Sequence, residues 1–232
     1  MSHFKRVLFI AVDDLRPEIN CFGKKKLHTP NIDKLANHGT QFNRAYCQIP
    51  LCMPSRASLM SGIRPDRQQL SHIPQICVNG EPSLPGHLKA HGYDTVSIGK
   101  VYHFNNDDSE SWTKRYTDTF YEQDLVCDGY CSGYQLEENK KGLIYSKTGR
   151  NTSALTECVD APDNAYPDGI IAEKAIMELR ESQKQDKPLF LAVGFYRPHL
   201  PWAVPKKYWD LYSRDEVDLA DNPFFPKDGI GK

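Results

Sequence analysis

The sequence predicts an α/β fold in three layers, a parallel sheet with helices on both faces. Three observations carry that reading. Two continuous apolar runs of strand length, residues 7–12 and 189–193, read as strands buried on both faces, as in a central parallel sheet. Segments of helical period separate them, the clearest being residues 168–182, where Ile171, Ala175 and Leu179 fall four apart. Polar residues follow three strand ends directly: Asp13 and Asp14, then Lys100 and His103, then His199. Open α/β sheets bind their ligands at that end of the strands.

The elements follow in order. The first strand ends in Asp13-Asp14 and is broken by Leu15-Arg16-Pro17. Thr29-Pro30 opens a helix, with Thr29 as N-cap, Pro30 in the first helical position and Gly39 as the stop. Residues 40–46 read as a short strand. In the run Leu51-Cys52-Met53-Pro54-Ser55-Arg56-Ala57-Ser58, Pro54 is expected at the first position of a helix that stops at Gly62. Cys52 then stands just before a helix N-terminus, where free N–H groups and the helix dipole favour an anion. Residues 83–91 read as a helix and 93–98 as a strand, followed by Gly99-Lys100-Val101-Tyr102-His103. Residues 105–167, rich in Asp, Asn, Ser, Gly and Tyr, read as an irregular insertion of long loops with a small hairpin. Residues 188–195 form another buried strand, and 205–212 a short helix.

With 232 residues, 39% hydrophobic and 25% charged, the chain suits one sizeable globular domain. A net charge of -1 gives no bulk electrostatic case for nucleic acid or a membrane surface as partner. No apolar run approaches the length of a transmembrane helix, and residues 7–12 are too short for a signal-peptide core. Of the seven cysteines (Cys21, Cys47, Cys52, Cys77, Cys127, Cys131 and Cys158), an odd one is left outside any complete set of disulfides, and Cys52 is the nominee. Cys127 and Cys131 could pair in an oxidising compartment; reduced, partly buried thiols are the plainer reading. Asn151-Thr152-Ser153 fits the short glycosylation pattern.

The candidate chemistry gathers at the strand ends. Asp13 and Asp14 can turn together toward one hard cation, Ca²⁺ or Mg²⁺ rather than zinc, or can simply start a solvated turn. A lone cysteine is more often a small buried hydrophobe than a nucleophile, but one at a helix N-terminus near a cation is reactive. Arg56, one helical turn on, can reach back to an anion beside residue 52. Lys100, His103 and His199 are each weak alone; together they offer a cation and two proton-transfer groups.

The Cys-x-Pro-Ser-Arg-Ala-Ser run, the strand ending in Val12-Asp13-Asp14, and Thr29-Pro30-Asn31-Ile32-Asp33 together resemble the type I sulfatases of the alkaline phosphatase superfamily. Residues 12–17, 99–103 and 191–201 resemble the iduronate-2-sulfatase branch in particular, and the similarity runs in order through most of residues 7–210. The resemblance implies an alkaline-phosphatase-like α/β/α sulfatase domain. It also implies that Cys52 is oxidised by a formylglycine-generating maturation enzyme to an aldehyde. The hydrated aldehyde attacks the sulfur of a sulfate ester, the alcohol leaves, and C–O cleavage then releases sulfate. By the same resemblance Asp13, Asp14 and the oxidised residue 52 hold a divalent metal, most simply Ca²⁺, with Mg²⁺ as the alternative. Arg56 stabilises the hydrate, Lys100 binds the sulfate or the nucleophile, His103 assists proton removal, and His199 contacts the sulfate and protonates the leaving oxygen.

Members of this family are longer than 232 residues and are often periplasmic, secreted or lysosomal. They take further metal ligands from a later strand ending in Asp-His-Gly or Asp-Asn-Gly, which is not found here. Residues 1–232 are therefore expected to be the N-terminal part of a sulfatase domain, incomplete at the C-terminus, with the remainder on a second chain or lost by truncation. The implied substrate is a sulfated sugar, foremost a uronate 2-O-sulfate of a polysaccharide or its fragments. The alternatives are a phosphonate or phosphate ester hydrolase of the same superfamily, and a catalytically incomplete fragment that binds sulfated glycans.

Overall fold

The computed structural model describes residues 5–24, 26–67, 81–103, 107–116, 133–141, 144–145, 151–152, 154–219 and 222–224. Its main sheet has four parallel strands in the order β1 (Arg6–Val12), β7 (Leu189–Phe195), β2 (Asp94–Gly99) and β3 (Lys114–Arg115). The register sets Val12 opposite Phe195 and Gly99 opposite Gly194. Asp13, Lys100 and Tyr196 therefore leave the sheet along one edge.

The central strand β7 alternates as a doubly covered strand must. Leu189, Leu191 and Val193 join Val96 and Ile98 of β2 against Ile171 and Ala175 of α5 (Pro167–Ser182). Phe190 and Ala192 face the other way, onto Met60 of α2 (Cys52–Ser61), Leu88 of α3 (Leu84–Ala90), Val101 and Trp112. The Trp112 and Phe190 rings stack 6.0 Å apart. Phe190, Leu191 and Ile171 are fully buried, each worth about 1.5–3 kcal/mol of transfer free energy. Helices thus cover both faces, and the three-layer expectation holds.

Several local expectations are corrected. Residues 7–12 do form a strand, but among the described residues β1 is an edge, paired with β7 alone, and Leu8 and Ile10 are 46% and 50% exposed. Burial on both faces needs a layer packed over each, and among the described residues Leu8 and Ile10 are left half-open. Residues 40–46 are irregular, not a strand. In α1 (Pro30–His38), Pro30 opens the helix as expected, while the Thr29 hydroxyl donates to Asp33 instead of capping the backbone. α2 begins at Cys52, two residues earlier than expected, which puts Pro54 in the third helical position. That position also lacks an intrahelical acceptor for its N–H, so proline costs nothing there.

Within the 105–167 insertion, the described residues are more ordered than their composition suggests. They include β3, α4 (Glu137–Lys141), the β4–β5 pair (Ile144–Tyr145 with Asn151–Thr152) and β6 (Thr156–Val159). β6 runs parallel to β8 (Trp202–Pro205), which precedes the short helix α6 (Lys206–Trp209). Buried Glu157 on β6 organises this region. Its carboxylate accepts the Gln135 and Leu136 N–H groups at 2.7 and 3.1 Å, the Asn139 amide at 2.8 Å and the Tyr166 hydroxyl at 2.9 Å. Cys77, Cys127 and Cys131, and the side chains of the 151–153 glycosylation pattern, lie outside the described residues; Cys21, Cys47, Cys52 and Cys158 are free thiols. No helix among the described residues is long and apolar enough to cross a membrane.

Two glycines let β2 and β7 close on each other at the functional edge. Gly99 has a left-handed φ of 70°, which turns the chain into Lys100. Gly194 faces it across the ladder, and Lys100 N–H donates to the Gly194 carbonyl at 2.9 Å. A Cβ on Gly194 would fall inside the Lys100 carbonyl. Replacing Gly194 by Ala should therefore destabilise the fold by about 3 kcal/mol or more, at the upper end of overpacking costs, measured as a lowered urea midpoint at unchanged slope.

Candidate active site

The site is built on a buried carboxylate between two cations. Asp13 follows β1 and is 3% exposed. Its Oδ2 receives the Lys100 Nζ, and its Oδ1 receives Arg56 Nη2 at 3.1 Å. Arg56 projects from the buried face of α2, which also carries Pro54, Ala57, Ser58 and Met60. Its other terminal nitrogen donates to the carbonyls of Lys100 and of Val101, the latter at 3.1 Å. One guanidinium therefore ties the start of α2 to the ends of β1 and β2.

Burial alone would push the Asp13 carboxyl up; the hydrogen bonds and charges of Lys100 and Arg56 overcome this and hold it below the ordinary aspartate range. Burial pulls Lys100 below the ordinary lysine range, opposed by Asp13 and by Cys52. One carboxylate against two cations leaves this buried trio with one positive charge over, next to exposed Asp14. His103 is half-buried, and burial, then the Lys100 and Arg56 charges, lower it to about 4. It is a neutral imidazole at neutral pH.

The remaining candidates line the same edge. Cys52 is half-buried at the first position of α2, close enough to Lys100 for its charge to be felt there. Asp14 is exposed and left-handed at φ 54°, whereas Asp13 is buried against the cations. Asp14 Oδ2 lies 3.9 Å from His199 Nε2. The other His199 nitrogen, Nδ1, is 2.7 Å from the Leu200 carbonyl. A carbonyl only accepts, so Nδ1 carries the proton and Nε2 points to the Asp14 side. Lys100 is buried.

One residue that sequence reasoning passed over belongs with this edge. Asp168, on the first turn of α5, accepts the Tyr196 and Arg197 N–H groups at 2.8 and 2.9 Å. Burial raises its carboxyl above the usual range, against the pull of these two bonds. The signal in the sequence was slight: an aspartate after the proline that opens a helix.

A metal is a matter of donor chemistry here. Asp13, kept ionised, and Asp14 are hard oxygen donors of the kind Ca²⁺ and Mg²⁺ take. Among the described residues no group of three or more His, Cys, Asp and Glu is gathered as a metal site. The two aspartates thus fit as members of a hard-cation ligand set, not as the whole of one.

Comparison with known proteins gives a consistent family. The sequence model of the Sulfatase family matches residues 5–224. Iduronate 2-sulfatase of Homo sapiens is 33% identical over 236 residues, covering 97% of this chain and 40% of that protein. The phosphonate monoester hydrolase of Agrobacterium radiobacter superposes with a TM-score of 0.58 at 22% identity, covering 90% of this chain and 44% of that one. A 2-O GAG sulfatase superposes with a TM-score of 0.55 at 21% identity, covering 85% and 36%. Both structural likenesses are of fold, the α/β arrangement of alkaline-phosphatase-like enzymes. The chain spans about 40% of the length of the human relative.

Two outcomes follow from the electrostatics. Replacing Asp13 by Asn strands two buried cations and should cost about 3–5 kcal/mol in urea unfolding, whereas replacing exposed Asp14 by Asn should change stability by less than about 0.5 kcal/mol. The second concerns pH. His103 has a folded value depressed to about 4 from 6.5, so between those values the unfolded chain binds a proton that the folded chain does not. Its contribution is present above pH 6.5 and is lost as pH falls toward 4. The loss of stability between pH 7 and pH 5 should therefore be smaller in His103→Gln than in the unmodified chain.

Proposed function

Because the chain belongs to the sulfatase family, we propose that this sheet edge takes part in hydrolysis of sulfate esters carried by a sugar. The observation that carries the reading is the convergence of Cys52, Lys100 and Arg56 at one strand-end edge. A sulfate monoester is an anion whose reaction builds charge on its oxygens, and fixed cations in a partly desolvated site stabilise that charge. A uronate 2-O-sulfate is the specific substrate inferred, supported by the 33% identity to iduronate 2-sulfatase.

Each residue has a role in this reading. Oxidised to formylglycine by a maturation enzyme, residue 52 would supply an oxygen nucleophile in place of a thiol. A divalent cation, Ca²⁺ in this reading, would be held by Asp13 and Asp14 with residue 52, and would polarise the sulfate and lower the nucleophile's pKa. Arg56, fixed by three acceptors, orients the start of α2 and adds charge beside residue 52. Lys100 holds the sulfate or the nucleophile. His103, neutral at working pH, can accept a proton from the nucleophile. His199, with Nδ1–H tied to Leu200, presents Nε2 to the sulfate, and hands a proton to the leaving alcohol oxygen only when the ring is doubly protonated. Ligands beyond these are assigned to sequence, on this polypeptide or a second one, corresponding to the rest of the relatives' length.

The test is sulfate release from an aryl sulfate and from a 2-O-sulfated uronate disaccharide, using protein co-produced with a formylglycine-generating enzyme. Cys52→Ala should lower release by about 10³-fold or more, and in the unmodified sequence peptide mass should show the loss of sulfur and two hydrogens and the gain of one oxygen at residue 52. Undiminished release by Cys52→Ala overturns the reading. Faster cleavage of an aryl phosphonate ester than of the aryl sulfate would transfer it to phosphonate hydrolysis.

A further inference from the structure

The His199 turn lies beyond the end of β7 and must be held by something other than the sheet. Its own backbone supplies one bond, His199 N–H to the Tyr196 carbonyl at 2.9 Å. Trp202 Nε1 donates to the Pro198 carbonyl at 2.8 Å and Arg197 Nη1 to the His199 carbonyl at 3.3 Å. Two further bonds, at the point where the strand ends, come from a single side chain. Asp168 Oδ1 accepts Tyr196 N–H at 2.8 Å and Oδ2 accepts Arg197 N–H at 2.9 Å, so both oxygens hold successive backbone groups as β7 ends. We propose that Asp168 is the positioning residue for His199, acting through the Tyr196–Arg197 backbone. The proposal rests on the sulfatase reading for its catalytic meaning, and on the geometry alone for its structural meaning.

The seat of Asp168 is itself rigid. Gly169 presses on the 3-10 turn Asp163–Ala165 so closely that a Cβ there would fall inside the Asp163 carbonyl. Two residues further, fully buried Ile171 packs on Gly99, the residue before Lys100; a Cβ on Gly99 would meet the Ile171 side chain at 2.6 Å. The first turn of α5 therefore supports both strand ends that bear candidate catalytic groups. It supports β2 by packing and β7 by hydrogen bonding. A carboxylate is suited to the second task because both its oxygens accept, whereas an amide of the same shape offers one acceptor and turns an N–H₂ toward a backbone N–H. Displacements of about 1 Å at such a distance from the reacting atoms cost on the order of 100-fold in rate.

Asp168→Asn tests this with readouts that do not all depend on turnover. In the unaltered protein, the Tyr196 and Arg197 amides should exchange with solvent as slowly as those of β7 itself; fast exchange at these two positions overturns the proposal without any variant. In Asp168→Asn, exchange at 196–199 should rise about 10-fold or more while β7 and the rest of α5 keep their protection. The His199 imidazole NMR signal, assigned with His199→Gln, should shift, while those of His87 and His91 on and beside α3 stay in place. A folded Asp168→Asn protein with an unmoved His199 signal overturns the proposal. For sulfate release, kcat should fall about 10- to 100-fold with KM within about 2-fold. A protein that never releases sulfate, yet shows the exchange and imidazole changes, refutes the sulfatase reading and leaves Asp168 as the anchor of the turn.

Discussion

A carboxylate that shares its two oxygens between a lysine and an arginine, out of water, is the contact on which the rest of this edge depends. Asp13, Lys100 and Arg56 arrive from β1, the end of β2 and α2, elements separated by tens of residues. Desolvating three charges is expensive, and such clusters are seldom the most stable filling for a core. What the cluster supplies is definition. If any one partner is displaced by a register slip or a rotated helix, an unpaired charge is left buried, and that arrangement is strongly disfavoured. Arg56 extends the same control to the backbone, since its bonds to the Lys100 and Val101 carbonyls fix the path of the chain toward His103.

The hydrocarbon layers below make this possible. Phe190 and Ala192 on one face of β7, and Leu191 and Val193 on the other, clamp the central strand between α2–α3 and α5. Close approach at the ends is left to residues without side chains, Gly99 and Gly194. The site is thus a place where three rigid elements end together, with bulky residues beneath and glycines at the rim. Side chains held from such elements lose little freedom when a substrate arrives, which is what preorganised charge requires.

Much of this was legible in the sequence, and the parts that were not share a cause. Strands β1, β2 and β7, helices α3 and α5, and Gly62 as a helix stop are written in local patterns of apolar spacing and special residues. Of the seven residues singled out for chemistry, Asp13, Asp14, Lys100, His103 and His199 follow the ends of parallel strands, and Cys52 and Arg56 come to them from α2. Pairing partners were not legible. Nothing local distinguishes Asp13, buried between two cations, from Asp14, exposed at φ 54°. Nor does composition reveal that β3 extends the main sheet or that β6 pairs with β8, since both strands lie in a polar, loop-like stretch and are fixed by distant neighbours. The burial of β1 was overestimated for the complementary reason: an apolar run reports what a strand could bury, not which neighbours it has.

That exposed strand has a consequence for assembly. β1 offers an apolar, unpaired edge among the described residues, and its last residue leads directly into Asp13. Open edges of this kind recruit other strands, whether from the same polypeptide, a partner or a second copy. Any strand that docks there must conform to the twist and register of β1, and so acts on the distance between Asp13 and its two cations. An occupied edge would in that way reach the charges at the rim through one strand, from outside the site and without changing a residue within it.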